Sequence, residues 1–301
     1  MATPSRIIDA LEDALDALIA GDLDEVERRM RLPRRKGART PERLLIEARI
    51  AGTTDGPEAA LSWIEKAHAA DPGWCWPPLD ASRAYLDLGR IDEARAQMAL
   101  AIERIGADDA EAWSVAAGGL IDLGELAQAE AILARRVEAD PDDADDWYVL
   151  GLVRHELGDR AGSTAAWIRA RALDLEAPRP PWALPEPEIE AITQRTLDGL
   201  PDEVVARLAD VPIFLEEAPS EEQVSDGLDP RALGLFSGTP LPLQEGGSTP
   251  ELHQITLFLR NLEMSCDYAE ELEDQVRITI LHETAHFFGL EDDDLDAIGL
   301  G

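Results

Sequence analysis

Five glycines divide the first half of the chain at nearly equal intervals: Gly21, Gly56, Gly89, Gly124 and Gly158, in steps of 35, 33, 35 and 34 residues. Similar strings begin at three of them, Gly21-Asp-Leu-Asp-Glu-Val26, Gly89-Arg-Ile-Asp-Glu-Ala94 and Gly124-Glu-Leu-Ala-Gln-Ala129. Apolar and small residues recur between them at helical spacing. This period constrains the fold more than any other feature of the chain. A unit of that length cannot bury its own apolar face, so each must be covered by the next, and a stack of helix pairs follows.

The positions inside each unit sharpen the reading. The unit beginning near Asp109 places Trp113, Leu120, Ala129, Leu133 and Pro141 where helices pack and stop, and the next places Trp147, Leu150, Gly151, Trp167 and Ala170. The two preceding units carry Tyr85, Ala94 and Met98, and Ala48, Ala60 and Ile64, in the same roles. In this pattern the chain resembles the tetratricopeptide repeat (TPR). The resemblance implies an all-α TPR-like helical solenoid over residues 1–177, with about four repeats after a degenerate first unit near residues 5 to 30. It also implies a surface that recruits a protein partner or peptide. Trp113, Trp147, Trp167 and Tyr85 are expected as packing residues. Trp74-Cys-Trp-Pro-Pro78 falls at a repeat junction, where it caps a helix pair or lines a groove.

Five prolines between Glu176 and Pro187 end the helical period and predict a stiff linker over residues 178–187. The charge changes there as well. Twenty-two basic and 35 acidic residues precede position 181, whereas 5 and 27 follow it, within a net charge of −35. Such a chain repels phosphate backbones and anionic headgroups, so neither nucleic acid nor membrane is an expected partner. Two cysteines, Cys75 and Cys266, are too few for a disulfide framework. With no signal pattern and no run of eighteen apolar residues, a cytoplasmic location is expected.

Residues 188–301 read as a separate domain. Ile189, Ile192 and Leu197 mark a helix, Val211–Leu215 a short strand, and Ile255–Arg260 a second strand with Ile255, Leu257 and Leu259 on one face. Residues 217 to 250 read as long loops around Leu233–Gly238. A helix from Tyr268 or Ala269 to Phe288, apolar nearly all round at its end, is expected to be buried.

That helix carries His282-Glu-Thr-Ala-His286. Residues four apart share one helix face, so the two imidazoles can serve one metal ion, with Glu283 beside them to take a proton from water. Buried without a metal, the three polar side chains would need other partners. Gly289 lets the chain reverse, and Asp292 falls where it can return as a third ligand, with Glu291, Asp293 and Asp296 as alternatives. Acids are unfavourable at the negative end of a helix, so a cation explains their presence there. Asp293 or Asp294 capping a final helix, Leu295–Gly299, explains it too.

From Glu186 onward the chain is similar to the minimal zincin family of bacterial metallopeptidases. The carrying strings are Ala232-Leu-Gly-Leu-Phe-Ser-Gly238, Ile255-Thr-Leu-Phe-Leu-Arg-Asn-Leu262 and Val276–Leu290. The family pattern H-E-x-x-H-x-x-G-x-x-D falls on His282, Glu283, His286, Gly289 and Asp292. The resemblance implies a small α+β domain, one zinc ion per chain held by His282, His286 and Asp292, and Glu283 as general base. The expected activity is hydrolysis of a peptide or protein substrate, with the strand nearest the cleft as an edge for it; that strand is expected at Leu257, Phe258 and Leu259. The alternative is a non-catalytic TPR adaptor whose C-terminal domain holds zinc only for structure.

Overall fold

The computed structural model describes residues 4–35, 40–209, 211–239 and 253–290. Up to Glu176 the described residues form ten helices: α1 (Pro4–Ile19), α2 (Leu23–Arg35), α3 (Pro41–Asp55), α4 (Pro57–Ala70), α5 (Trp76–Asp87), α6 (Ile91–Ile102), α7 (Ala110–Asp122), α8 (Leu126–Ala139), α9 (Ala144–Glu156) and α10 (Arg160–Glu176). They pack in consecutive pairs.

Local chemistry sets the helix ends. Asp109, Asp143 and Asp159 each turn a carboxylate onto the backbone N–H three residues on, at 3.1, 2.9 and 3.0 Å, and so cap α7, α9 and α10. The turns inside the pairs close at the periodic glycines. Gly21, Gly89, Gly124 and Gly158 all have φ between 69° and 78°, a conformation that side chains disfavour. Close packing then demands small residues. A Cβ on Gly119 would lie 2.4 Å from Met98, and one on Gly151 would lie 2.1 Å from the Trp167 ring. Trp167, only 5% exposed, is therefore part of the core.

Tertiary contacts divide the chain into two compact units, Met1–Ala139 and Asp140–Gly301. In the second, α9 and α10 are followed by α11 (Glu186–Asp198), α12 (Asp202–Leu208), β1 (Ile213–Glu216), α13 (Glu221–Ser225), β2 (Gly234–Ser237), β3 (Gln254–Phe258), α14 (Leu259–Met264) and α15 (Ala269–Phe287). The sheet order is β1-β3-β2. β3 runs parallel to β1, with Ile213 opposite Ile255, and antiparallel to β2, with Gly234 opposite Leu257. Ile189 and Ile192 of α11, Ile255 and Leu257 of β3, and Leu272, Val276 and Ile280 of α15 form its core. The architecture is thus a helical-repeat stack followed by a small α+β domain.

The Pro-rich stretch carries no helix from Ala177 to Pro185. It is nonetheless docked: Trp182 and Leu184 pack on the core of the second unit, and Arg179 pairs with the buried Glu263 at 2.5 Å. Buried polar contacts bind α9 and α10 into the same unit. Arg231 donates to both carboxylate oxygens of Asp174, at 2.9 and 3.0 Å, and its guanidinium lies 4.5 Å from the Tyr148 ring centre. The Tyr148 hydroxyl donates to Asp229 at 2.8 Å, and Arg260 donates to the carbonyls of Asp174 and Ala177. Periodicity ends at the prolines, while the contacts divide the chain one helix pair earlier.

Candidate metal centre

The site is built on α15. Leu272, Val276 and Ile280 face the core, and Thr279 and Glu283, 5% and 6% exposed, continue the buried face toward β2. At the helix end Gly289, with φ 84°, reverses the chain. The N–H of Gly289 donates to the carbonyl of His286 at 2.9 Å and that of Leu290 to Ala285 at 3.1 Å, the bonding of a Schellman cap.

This cap bears on the metal site. The Nδ1 atom of His286 lies 2.9 Å from the Leu290 carbonyl oxygen. A carbonyl only accepts, so Nδ1 carries the hydrogen, and in the neutral ring Nε2 carries the lone pair. Metal-binding histidines are commonly oriented by such a bond from the other ring nitrogen. The Nε2 atoms of His282 and His286 converge to 2.9 Å. Two nitrogens bound tetrahedrally to one zinc would stand about 3.3 Å apart. The pair thus fits a shared zinc after a shift of a few tenths of an ångström, and neutral imidazole nitrogens are suitable donors for it.

Glu283 is oriented by β2, accepting from the N–H of Phe236 at 2.6 Å. In the antiparallel ladder the N–H of Phe258 donates to Leu233, so bonded pairs alternate and the backbone groups of Gly234 and Phe236 point away from β3. At Gly234, a Cβ would lie 2.7 Å from Thr279 and 2.9 Å from Glu283. Only glycine lets the strand pass this close to the helix.

Among the described residues no group of three or more metal-ligating side chains forms. Asp292, the expected third ligand, lies outside the described residues, as do Glu291, Asp293, Asp294 and Asp296. His253 has Nε2 3.0 Å from the Thr239 carbonyl oxygen and packs against Phe236 and Phe287.

The expectation for the substrate-binding strand is corrected. β3 lies between β1 and β2, so neither edge is open to a further strand. Leu257 and Phe258 are 0% exposed, and Leu259, 7% exposed, begins α14. The edge beside Glu283 belongs to β2, whose outer edge pairs with no strand among the described residues. Alternating apolar residues identify a strand but not its position in the sheet. The apolar character of Ile255–Phe258 on both faces belongs to a central strand. The contribution of Phe236 left no mark in the sequence, because it is made by a backbone N–H.

Residues 208–301 match the family model of the Zincin-like metallopeptidases. No curated protein matches the chain. Among solved structures the chain is similar to PilW, a widely conserved type IV pilus biogenesis factor, at 14% identity over 64% of this chain and 83% of that one, with a TM-score of 0.47. It is also similar to TTC0263, a thermophilic TPR protein of Thermus thermophilus, at 20% identity over 56% and 91%, with a TM-score of 0.44. A third likeness is to MamA 41-end from Desulfovibrio magneticus RS-1, at 15% identity over 58% and 98%, also with a TM-score of 0.44. The helical repeats are thus followed by a C-terminal region that matches the Zincin-like metallopeptidase model over residues 208–301.

Proposed function

We propose that the C-terminal domain is a zinc-dependent peptidase, and that the repeats recruit its protein substrate or a partner. The observation that carries this reading is the convergence of the His282 and His286 Nε2 atoms, with the His286 tautomer set by the Leu290 carbonyl. His282, His286 and Asp292 would hold one zinc ion. Bound there, zinc supplies a Lewis acid that brings the pKa of water toward neutrality and polarises a carbonyl.

The chain's own groups account for the rest. Glu283 takes the proton of the attacking water on its carboxylate and delivers it to the departing nitrogen. The Phe236 N–H orients that carboxylate, and the burial of Glu283 keeps bulk water from competing for it. The outer edge of β2 lies beside Glu283; its Phe236 N–H is taken by that carboxylate, so an extended peptide would align there through the backbone of Gly234 and the Phe236 carbonyl. No described helix is long and apolar enough to cross a membrane.

Glu283→Gln tests the proposal. Cleavage of a quenched-fluorescent peptide library should fall about 10²- to 10⁴-fold while zinc content and thermal unfolding match the wild type. Turnover that survives the substitution would remove Glu283 from the mechanism. An adaptor with structural zinc would show no turnover in either protein.

A further inference from the structure

We infer that a groove in the first unit is a docking site for an amphipathic basic segment of another protein, an apolar helix face flanked by Lys or Arg. The inference rests on the reading that the repeats recruit a protein, and it gives that protein a chemistry.

The groove is a cavity of about 640 Å³ bordered by α1, α3, the start of α5 and the first turn of α7, a volume in the range of ordinary ligand sites. Its apolar wall includes Ile8, Leu15, Trp74 and Trp76. The fold does not require all of this surface. Helix α1 already buries Leu11, Ala14 and Ala17 in its own core cluster, whereas Ile8 is 54% exposed. Trp74 and Trp76 pack one side against the α3–α5 core and turn the other to the groove. The Trp-Cys-Trp-Pro-Pro string therefore both packs a repeat junction and lines a groove.

Charge identifies the occupant. Glu12, Glu42 and Glu111 line the groove, and all three are exposed. Among the described lining residues the basic one is Arg49, whose charge is taken by Asp80 through bonds of 2.8 and 3.1 Å while its guanidinium lies 5.4 Å from the Trp76 ring centre. Arg49 and Asp80 cancel, leaving three carboxylates around an apolar floor among the described lining residues. An acidic segment would be repelled, and a wholly apolar one would strip water from the carboxylates without replacing it. A segment with apolar residues on one face and Lys or Arg beside them satisfies both surfaces, and the indoles favour the same cations through their ring faces.

A chain of net charge −35 attracts cations everywhere, so the test must separate the groove from the general field. The probe is a fluorescein-labelled helical peptide of Leu and Lys, about 18 residues or five turns long. It is compared with Leu/Glu and Ser/Lys peptides of equal length, by anisotropy with the full chain at about 0.15 M salt. Two variants alter the groove at exposed positions, Ile8→Asp alone and Glu12→Lys with Glu42→Lys and Glu111→Lys. A third reverses three charges around another cavity, Glu186→Lys with Glu190→Lys and Asp198→Lys, and circular dichroism checks that each is folded. The Leu/Lys peptide should bind the wild type, bind both groove variants about tenfold more weakly, and bind the control within about twofold of the wild type. Absence of binding, equal binding of the Ser/Lys or Leu/Glu peptide, or equal weakening by the control would overturn the inference. Binding is read without turnover, so this result and the peptidase assay fail independently.

Discussion

At the scale of single residues, the proposed site depends on a glycine as much as on its histidines. Gly234 has an ordinary backbone conformation, and its role is space: a Cβ there would meet Thr279 at 2.7 Å and Glu283 at 2.9 Å. Gly234→Ala should therefore cost about 1–3 kcal/mol, the range of overpacked cores, read as a lower urea midpoint. Thr279→Ser removes the nearer methyl and should restore part of the loss when combined with it. An unchanged midpoint for Gly234→Ala would show that strand and helix are not in such contact. The histidines, Glu283 and Gly289 were legible in the sequence because a helix converts a spacing of four into adjacency and a reversal of the chain into a glycine. Phe236 was not, since its backbone donor is independent of residue type.

At the scale of elements, the end of α15 joins a cap to a proposed ligand. The Schellman turn at Gly289 places the Leu290 carbonyl against His286 Nδ1, so the turn holds the ring in the tautomer that the proposed zinc site needs. Gly289→Ala must force a side chain into φ 84°, at a cost of about 1 kcal/mol or more. Zinc affinity measured against a chromophoric chelator should fall about tenfold, as when other partners of ligating histidines are removed. Unaltered affinity would separate the turn from the site. The long helix and the existence of β1 and β3 were legible from apolar spacing, but two features of the sheet region were not. The run from Ile255 to Arg260 reads as one strand, yet it breaks after Phe258 into α14, where Arg260, 3% exposed, reaches the carbonyls of Asp174 and Ala177. Partners that far away in sequence are invisible to a local pattern. The same limit hid that β3 is the central strand of the sheet.

At the scale of the molecule, the repeat period announces the helical stack, while the division into compact units follows buried polar contacts. Within the second unit, burial first and the Asp229 carboxylate second push the Tyr148 phenol above its ordinary value of 10.0. A proton held more tightly in the folded state contributes stability below the unfolded value, and that contribution is lost as pH rises through the folded one. The second unit should thus weaken above about pH 10, and Tyr148→Phe should show a shallower decline in alkaline urea unfolding. Identical slopes would mean that the phenol ionises without penalty. No lysine follows Lys66, so lysine titration does not obscure the comparison in this unit. The central claim, a zinc site, is tested most directly by elemental analysis of the purified full chain beside His286→Ala and Asp292→Ala. The account predicts about one zinc per chain, abolished by the first substitution and weakened by the second; a wild-type chain that takes up no zinc when supplied with it would contradict the account.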